Sequence, residues 1–144
     1  KERLVEKTYL ALVHGVIKAG QGTIEAKMGR HPVNRKKMAV VEKQSSREAL
    51  SLYKVVERFK RYTLVEVKIA TGRTHQIRVH MNYIHHPVVG DPVYGGTKGE
   101  LGSRGQLLHA ARLSFIHPVS GQRLEFKADL PDGPQGIING LRNG

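Results

Sequence analysis

The chain has 144 residues, 39% hydrophobic and 25% charged, which suits a single domain with a real core and argues against wholesale disorder. Its 24 Lys and Arg outnumber 12 Asp and Glu for a net charge of +12, beyond the magnitude of about 8 that solubility asks of a small domain, so a polyanionic partner such as nucleic acid is expected. The absence of cysteine excludes disulfides and deprives zinc of thiolate ligands; no apolar run approaches the roughly 20 residues that span a bilayer, and no secretory signal is visible, so a cytoplasmic address is the default.

Taken in order, Lys7–Val13 sets Tyr9, Ala11 and Val13 against Thr8, Leu10 and Leu12, a strand apolar on both faces. The chain starts at Lys1 and enters this strand almost at once, so it reads as a piece of something longer. Thr23–Met28 puts Ile24, Ala26 and Met28 on one face, a half-buried strand. Arg30–Lys37 gathers Arg30, His31, Arg35, Lys36 and Lys37 around Pro32 and Asn34, a basic loop, and Met38–Val41 is a short strand. In Leu50–Phe59 the residues Tyr53, Val55, Val56 and Phe59 favour β structure, and Tyr62–Ala70 alternates Val65, Val67 and Ile69 with Glu66 and Lys68. The period then changes. Ile77, Met81 and Ile84 predict a short helix from about His75 to Ile84, with Thr74 as N-cap and Pro87 beyond its end. Gly90–Gly105 is glycine-rich and loop-like, with Asp91 as a turn former. Leu113 and Phe115 face Leu124 and Phe126 across Pro118–Gly121, a hairpin. The residues 131–144 read as a loose tail. The expected fold is α+β, a mixed, mostly antiparallel sheet with few helices, in one domain over residues 1–144.

The chemistry concentrates in Thr71–His80. A glycine turn follows an apolar strand and leads into a helix start, where free N–H groups and a positive dipole end attract anions. His75 and Arg78 share a helix face with Asn82, and no acid stands between Glu66 and Asp91, unlike a solvated face of mixed charge. Metal binding is not expected. His75, His80 and His85 are spaced by five, and five residues turn a helix by about 500°, which leaves successive side chains roughly 140° apart. From its strand alone, Tyr9 reads as an ordinary core tyrosine.

Several segments, in order, resemble the RluA-type pseudouridine synthases. Lys7-Thr8-Tyr9-Leu10-Ala11-Leu12-Val13-His14-Gly15 is similar to that family's K-x-Y-x-A-x-V-x-G segment. Thr71–His80 matches its T-G-R-T-H-Q-I-R-V-H motif residue for residue, and His86–Gly95 matches the H-P-x-x-G-D-x-x-Y-G that follows. Leu108-His109-Ala110 with His117-Pro118 resembles its closing segment. The resemblance runs from about Lys7 to Leu130. It implies isomerisation of uridine to pseudouridine in structured, ribosomal RNA, with no cofactor, no metal and no membrane.

In that family an aspartate of an upstream H-R-L-D segment attacks the nucleoside, and the 144 residues contain no such segment. The resemblance therefore implies part of a catalytic domain that is inactive alone. It makes Tyr9 a stacking residue for the extruded uracil, Arg78 the partner of the attacking aspartate (with Arg73 the alternative) and Leu108 an apolar pocket wall. It sets Arg73, Thr74, His75, Gln76 and His80 against the RNA, with Arg30, Arg35, Lys36 and Lys37 as further phosphate contacts. A non-catalytic RNA-binding module is the competing reading of the same charge. A metal-free ribonuclease using His75 and His80 is a weaker one, disfavoured by the helical angle.

Overall fold

The computed structural model describes residues 5–144. Six strands form one antiparallel sheet in the order β2-β5-β6-β1-β7-β8, and β3 and β4 form a separate two-stranded sheet. In chain order these are β1 (Val5–His14), β2 (Gln21–Glu25), β3 (Met28–Arg30), β4 (Met38–Val40), β5 (Leu50–Arg58), β6 (Tyr62–Ile69), β7 (Leu108–Ile116) and β8 (Arg123–Lys127). Helix α1 (Gln76–Tyr83) follows β6, a one-turn 3-10 helix occupies Glu100–Gly102, and α2 (Asp132–Asn143) closes the chain. The expected α+β class and mostly antiparallel sheet are observed.

The sheet buries both faces because its central strands are apolar on both. Ala11 and Val13 of β1 pack with Val65, Val67 and Ile69 of β6 and with Ile77 and Met81 of α1. Leu12 and Leu64 point the other way, against Val89 and against Ile138 of α2. Helix α1 is enclosed from Gln76 to Met81, since Met28, Met38 and Val40 of the small sheet cluster with Tyr94 and with Val79 on its far side. The hairpin of β7 and β8 pairs Leu113 with Phe126 and Phe115 with Leu124, as the alternation predicts.

Three expectations are corrected. The Thr23–Met28 run is not one strand: β2 ends at Glu25 and β3 begins at Met28, because Met28 leaves the main sheet to pair with Val40. Thr74 is not the N-cap of α1. His75 occupies that position in a left-handed conformation, φ 57, with no side-chain cap. The segment expected as a loose tail is a twelve-residue helix, α2. Its glycines mask an apolar edge, Ile137, Ile138 and Leu141, that packs on the Leu12 side of the sheet.

Candidate active site

The strand-to-helix corner after β6 and the middle of β1 frame a cleft of about 260 Å³, lined among others by Lys7, Tyr9, Arg73, His75, Arg78 and Leu108. Tyr9 reaches it from β1, where it pairs with Val67 on one side and Ala110 on the other. The register between β1 and β7 slips beside Tyr9, because Thr8 faces Arg112 while Tyr9 faces Ala110. Such a bulge re-aims neighbouring side chains. Leu108, at the start of β7, supplies an apolar wall. A larger recess of about 410 Å³ involves Lys54, Glu66 and Lys68 and holds none of the motif residues; the smaller cleft is where the chemistry-bearing side chains converge.

Arg78 is nearly enclosed, and its guanidinium grips Asp91 with two bonds, Nε to Oδ2 and Nη2 to Oδ1, both 2.9 Å. Such a fork fixes orientation as well as charge. Asp91 has no exposed surface, and its Oδ1 also accepts the N–H groups of Val93 and Tyr94. The carboxylate thus forms the turn expected of it and holds the arginine as well. Burial pushes the Asp91 carboxyl up, but the bonds from Arg78, Val93 and Tyr94 outweigh that and hold it below the ordinary value. The Asp91 bond raises Arg78 in turn, against its desolvation. The loop can close this tightly only with glycine on both sides. A Cβ on Gly90, at φ 78, would lie 2.4 Å from the Gly105 carbonyl, and one on Gly96 would lie 2.7 Å from the Asp91 backbone.

Tyr94 completes the arrangement. The guanidinium carbon of Arg78 lies 5.2 Å from its ring centroid and Lys37 Nζ lies 5.6 Å from it. Its hydroxyl accepts the Met38 N–H at 2.9 Å and meets His75 Nδ1 at 2.8 Å. Loss of solvent, and then the Arg78 charge, lower the His75 pKa against a weaker opposing pull from Asp91, so the ring is neutral at physiological pH.

Two residues expected to face RNA are turned inward. Gln76 spends its amide on the fold: Oε1 accepts Thr71 Oγ1–H and Arg73 N–H, and Nε2 donates to the Leu50 carbonyl and to Ser51 Oγ. His80 has no exposed surface and hydrogen-bonds Ser51 Oγ and the Ala26 carbonyl. A carbonyl can only accept, so Nε2 carries the proton and Nδ1 accepts from Ser51. Burial lowers the His80 pKa more than the Ala26 bond raises it, which keeps the ring neutral. Gln76 and His80 pin α1 to β5. Gln76 Oε1 also takes the Arg73 N–H just ahead of the helix start.

The remaining expected contacts stay outside. Arg73 lies on the rim, its Nε donating to the Glu48 carbonyl, and Thr74 is exposed. The basic loop, residues 31–37 between β3 and β4, exposes Arg35 and Lys36 beside Arg30, while Lys37 leans onto Tyr94. Arg30 Nη1 bonds the Arg35 carbonyl and His31 Nδ1 accepts two loop N–H groups, which gives the loop a defined shape. Sequence reasoning missed Asp91, Tyr94 and Lys7 as site residues. A lone acid between two runs of cations was the available signal for Asp91.

Among the described residues, no group of three or more His, Cys, Asp or Glu could hold a metal ion, and no helix is long and apolar enough to cross a membrane.

A family model described as RNA pseudouridylate synthase matches residues 1–83. An uncharacterized RNA pseudouridine synthase, YlyB, of Bacillus subtilis (strain 168) is 45% identical over 97% of this chain and 45% of its own length. Ribosomal large subunit pseudouridine synthase D of Pseudomonas aeruginosa is 45% identical over 97% of the chain and 47% of its own length. The chain therefore spans about half the length of these curated relatives. A solved human structure, RNA pseudouridylate synthase domain containing 1, superposes with a TM-score of 0.77 at 29% identity, covering 99% of this chain and 67% of that one. A second, domain containing 4, shares the fold at a TM-score of 0.77 and 22% identity.

Proposed function

Since the chain belongs to the RNA pseudouridylate synthase family, we propose that it is part of an enzyme isomerising uridine to pseudouridine in structured, ribosomal RNA. The observation that carries this is the shared cleft: Tyr9, Arg78 and Leu108 come from three separate elements and line one space with Arg73 and His75. Tyr9 stacks on the extruded base, which offsets about 1–3 kcal/mol of the few kcal/mol that flipping costs. Leu108 forms the apolar wall. Arg78 is the group that receives the attacking carboxylate. Its Nε and Nη2 are held by Asp91, and Nη1 makes no hydrogen bond among the described residues. A fixed cation beside the attacking carboxylate favours its ionised form. Asp91 is then the positioning residue for that cation. Arg73 and His75 meet the RNA at the rim, and Arg30, Arg35, Lys36 and Lys37 hold flanking phosphates. A ribosomal RNA substrate brings a cytoplasmic address with it.

The reaction needs no cofactor: the uracil leaves through N1, turns, and rejoins the ribose through C5, and the C5 proton is released. That release supplies the assay. Ribosomal RNA labelled with tritium at uridine C5 loses label when pseudouridine forms. The attacking aspartate that the resemblance implies is not among the 144 residues, so this polypeptide alone is expected to bind the RNA without releasing tritium. The same polypeptide joined to an H-R-L-D segment from a relative is expected to release it. Release by the 144 residues alone would mean that the nucleophile lies within them, and no RNA binding by either protein would remove the assignment.

A further inference from the structure

His75 enters α1 in the left-handed region, which an L-residue adopts only when its surroundings hold it there. The holding contact is Tyr94, which is only 4% exposed. A phenol has one hydrogen to give. The Met38 amide can only donate, so at 2.9 Å it uses the hydroxyl oxygen as acceptor. The hydroxyl hydrogen has no other acceptor among the described residues than His75 Nδ1, 2.8 Å away. The imidazole therefore receives at Nδ1 and carries its proton on Nε2. The Arg78 cation, packed on the Tyr94 ring, opposes a second proton on His75. The neighbouring loop makes the geometry stiff, because Asp91 Oδ1 accepts the Tyr94 N–H.

We propose that His75, locked by Tyr94 in its Nε2–H tautomer, is a hydrogen-bond donor directed at an oxygen of the nucleotide in the cleft. The inference rests on the RNA reading above, and Tyr94 acts through His75 as a positioning residue. A neutral, directional N–H suits a uracil carbonyl or a phosphate oxygen. It rejects the 4-amino group of cytosine, which would set hydrogen against hydrogen.

Two measurements on the 144-residue protein test it. Imidazole nitrogen spectra at neutral pH are expected to show His75 Nδ1 as the unprotonated nitrogen. Tyr94→Phe keeps the ring over Arg78 and loses the hydroxyl, and should give a mixture of tautomers. A protonated Nδ1 in the unmodified protein, with RNA binding intact, overturns this proposal and leaves the RNA reading standing.

The second measurement is affinity for stem-loops carrying a loop uridine, a cytidine in its place, or phosphorothioate linkages beside it. Tyr94→Phe and His75→Asn, the latter tolerant of left-handed backbone, should each weaken the uridine RNA by roughly five- to tenfold, the worth of one hydrogen bond. A loss of uridine preference over cytidine supports a base carbonyl as the acceptor. An equal loss for both bases, with diminished phosphorothioate sensitivity, supports a phosphate. Unchanged affinity in both variants overturns the donor role. An unmodified protein with no affinity for RNA removes the RNA reading itself and this role with it.

Discussion

A carboxylate without exposed surface stays ionised only if its neighbours outweigh the lost water, and Asp91 meets that condition through Arg78 and two backbone N–H groups. Removing one member of such a pair leaves a buried charge alone. Asp91→Asn is therefore expected to destabilise the fold by about 3–5 kcal/mol, measured as a drop in the urea midpoint. A loss no larger than that of a surface substitution would show that Arg78 finds another partner. Acid sensitivity follows from the same groups. The His80 and His75 pKa values are lowered on folding, so below their ordinary 6.5 the unfolded chain takes up protons that the folded chain refuses. Stability is full above that pH and falls as pH drops through it, and Asp91 adds a further loss below its ordinary 3.8. Urea midpoints at about pH 7.5 and about pH 5.5 should differ in that sense, and equal midpoints would contradict a neutral, buried His80 and a neutral His75. At this scale the sequence displayed which residues matter better than where they point. The polar crowding in Thr71–His80 was legible, but helical spacing cannot reveal that Leu50 and Ser51 of β5 and the Ala26 carbonyl stand within reach, and those partners hold Gln76 and His80 inward.

Among the elements, those whose apolar period matches their burial are legible in the sequence. Val65, Val67 and Ile69 alternate in sequence and are buried together, and Ile77 and Met81 anchor α1 as their spacing predicts. Helix α2 was not readable, because Gly133, Gly136 and Gly140 lower its intrinsic helix preference. Tertiary contact overrides that preference: Ile138 is buried against Leu12 and Leu64, and Arg142 bonds Glu57 at 3.0 Å. The cost of those glycines should then be recoverable. A Cβ at Gly136 or at Gly140 would meet nothing within 4 Å. Gly136→Ala and Gly140→Ala are each expected to stabilise the protein by about 0.5–1 kcal/mol, seen as a higher thermal midpoint. An unchanged midpoint in both would mean that α2 does not stay docked in solution.

Across the whole molecule, charge and shape work on different parts of one task. In the proposed role the net charge of +12 would draw in a polyanion, whereas the small cleft would select one nucleotide. The basic loop would join the two roles, since Lys37 leans on Tyr94 while Arg35 and Lys36 remain in solvent. Phosphate binding releases counterions, so RNA affinity should fall linearly with the logarithm of salt, with a slope near 0.7 per phosphate neutralised on single strands. Arg35→Ala combined with Lys36→Ala removes two exposed cations and should reduce that slope by about 1.4 while weakening uridine and cytidine stem-loops alike. Base preference should survive, because neither side chain lines the cleft. Affinity measured from low to moderate salt checks both statements. An unchanged slope would place the RNA path elsewhere on the surface, and a lost base preference would mean that the loop shapes the cleft as well as attracting the strand.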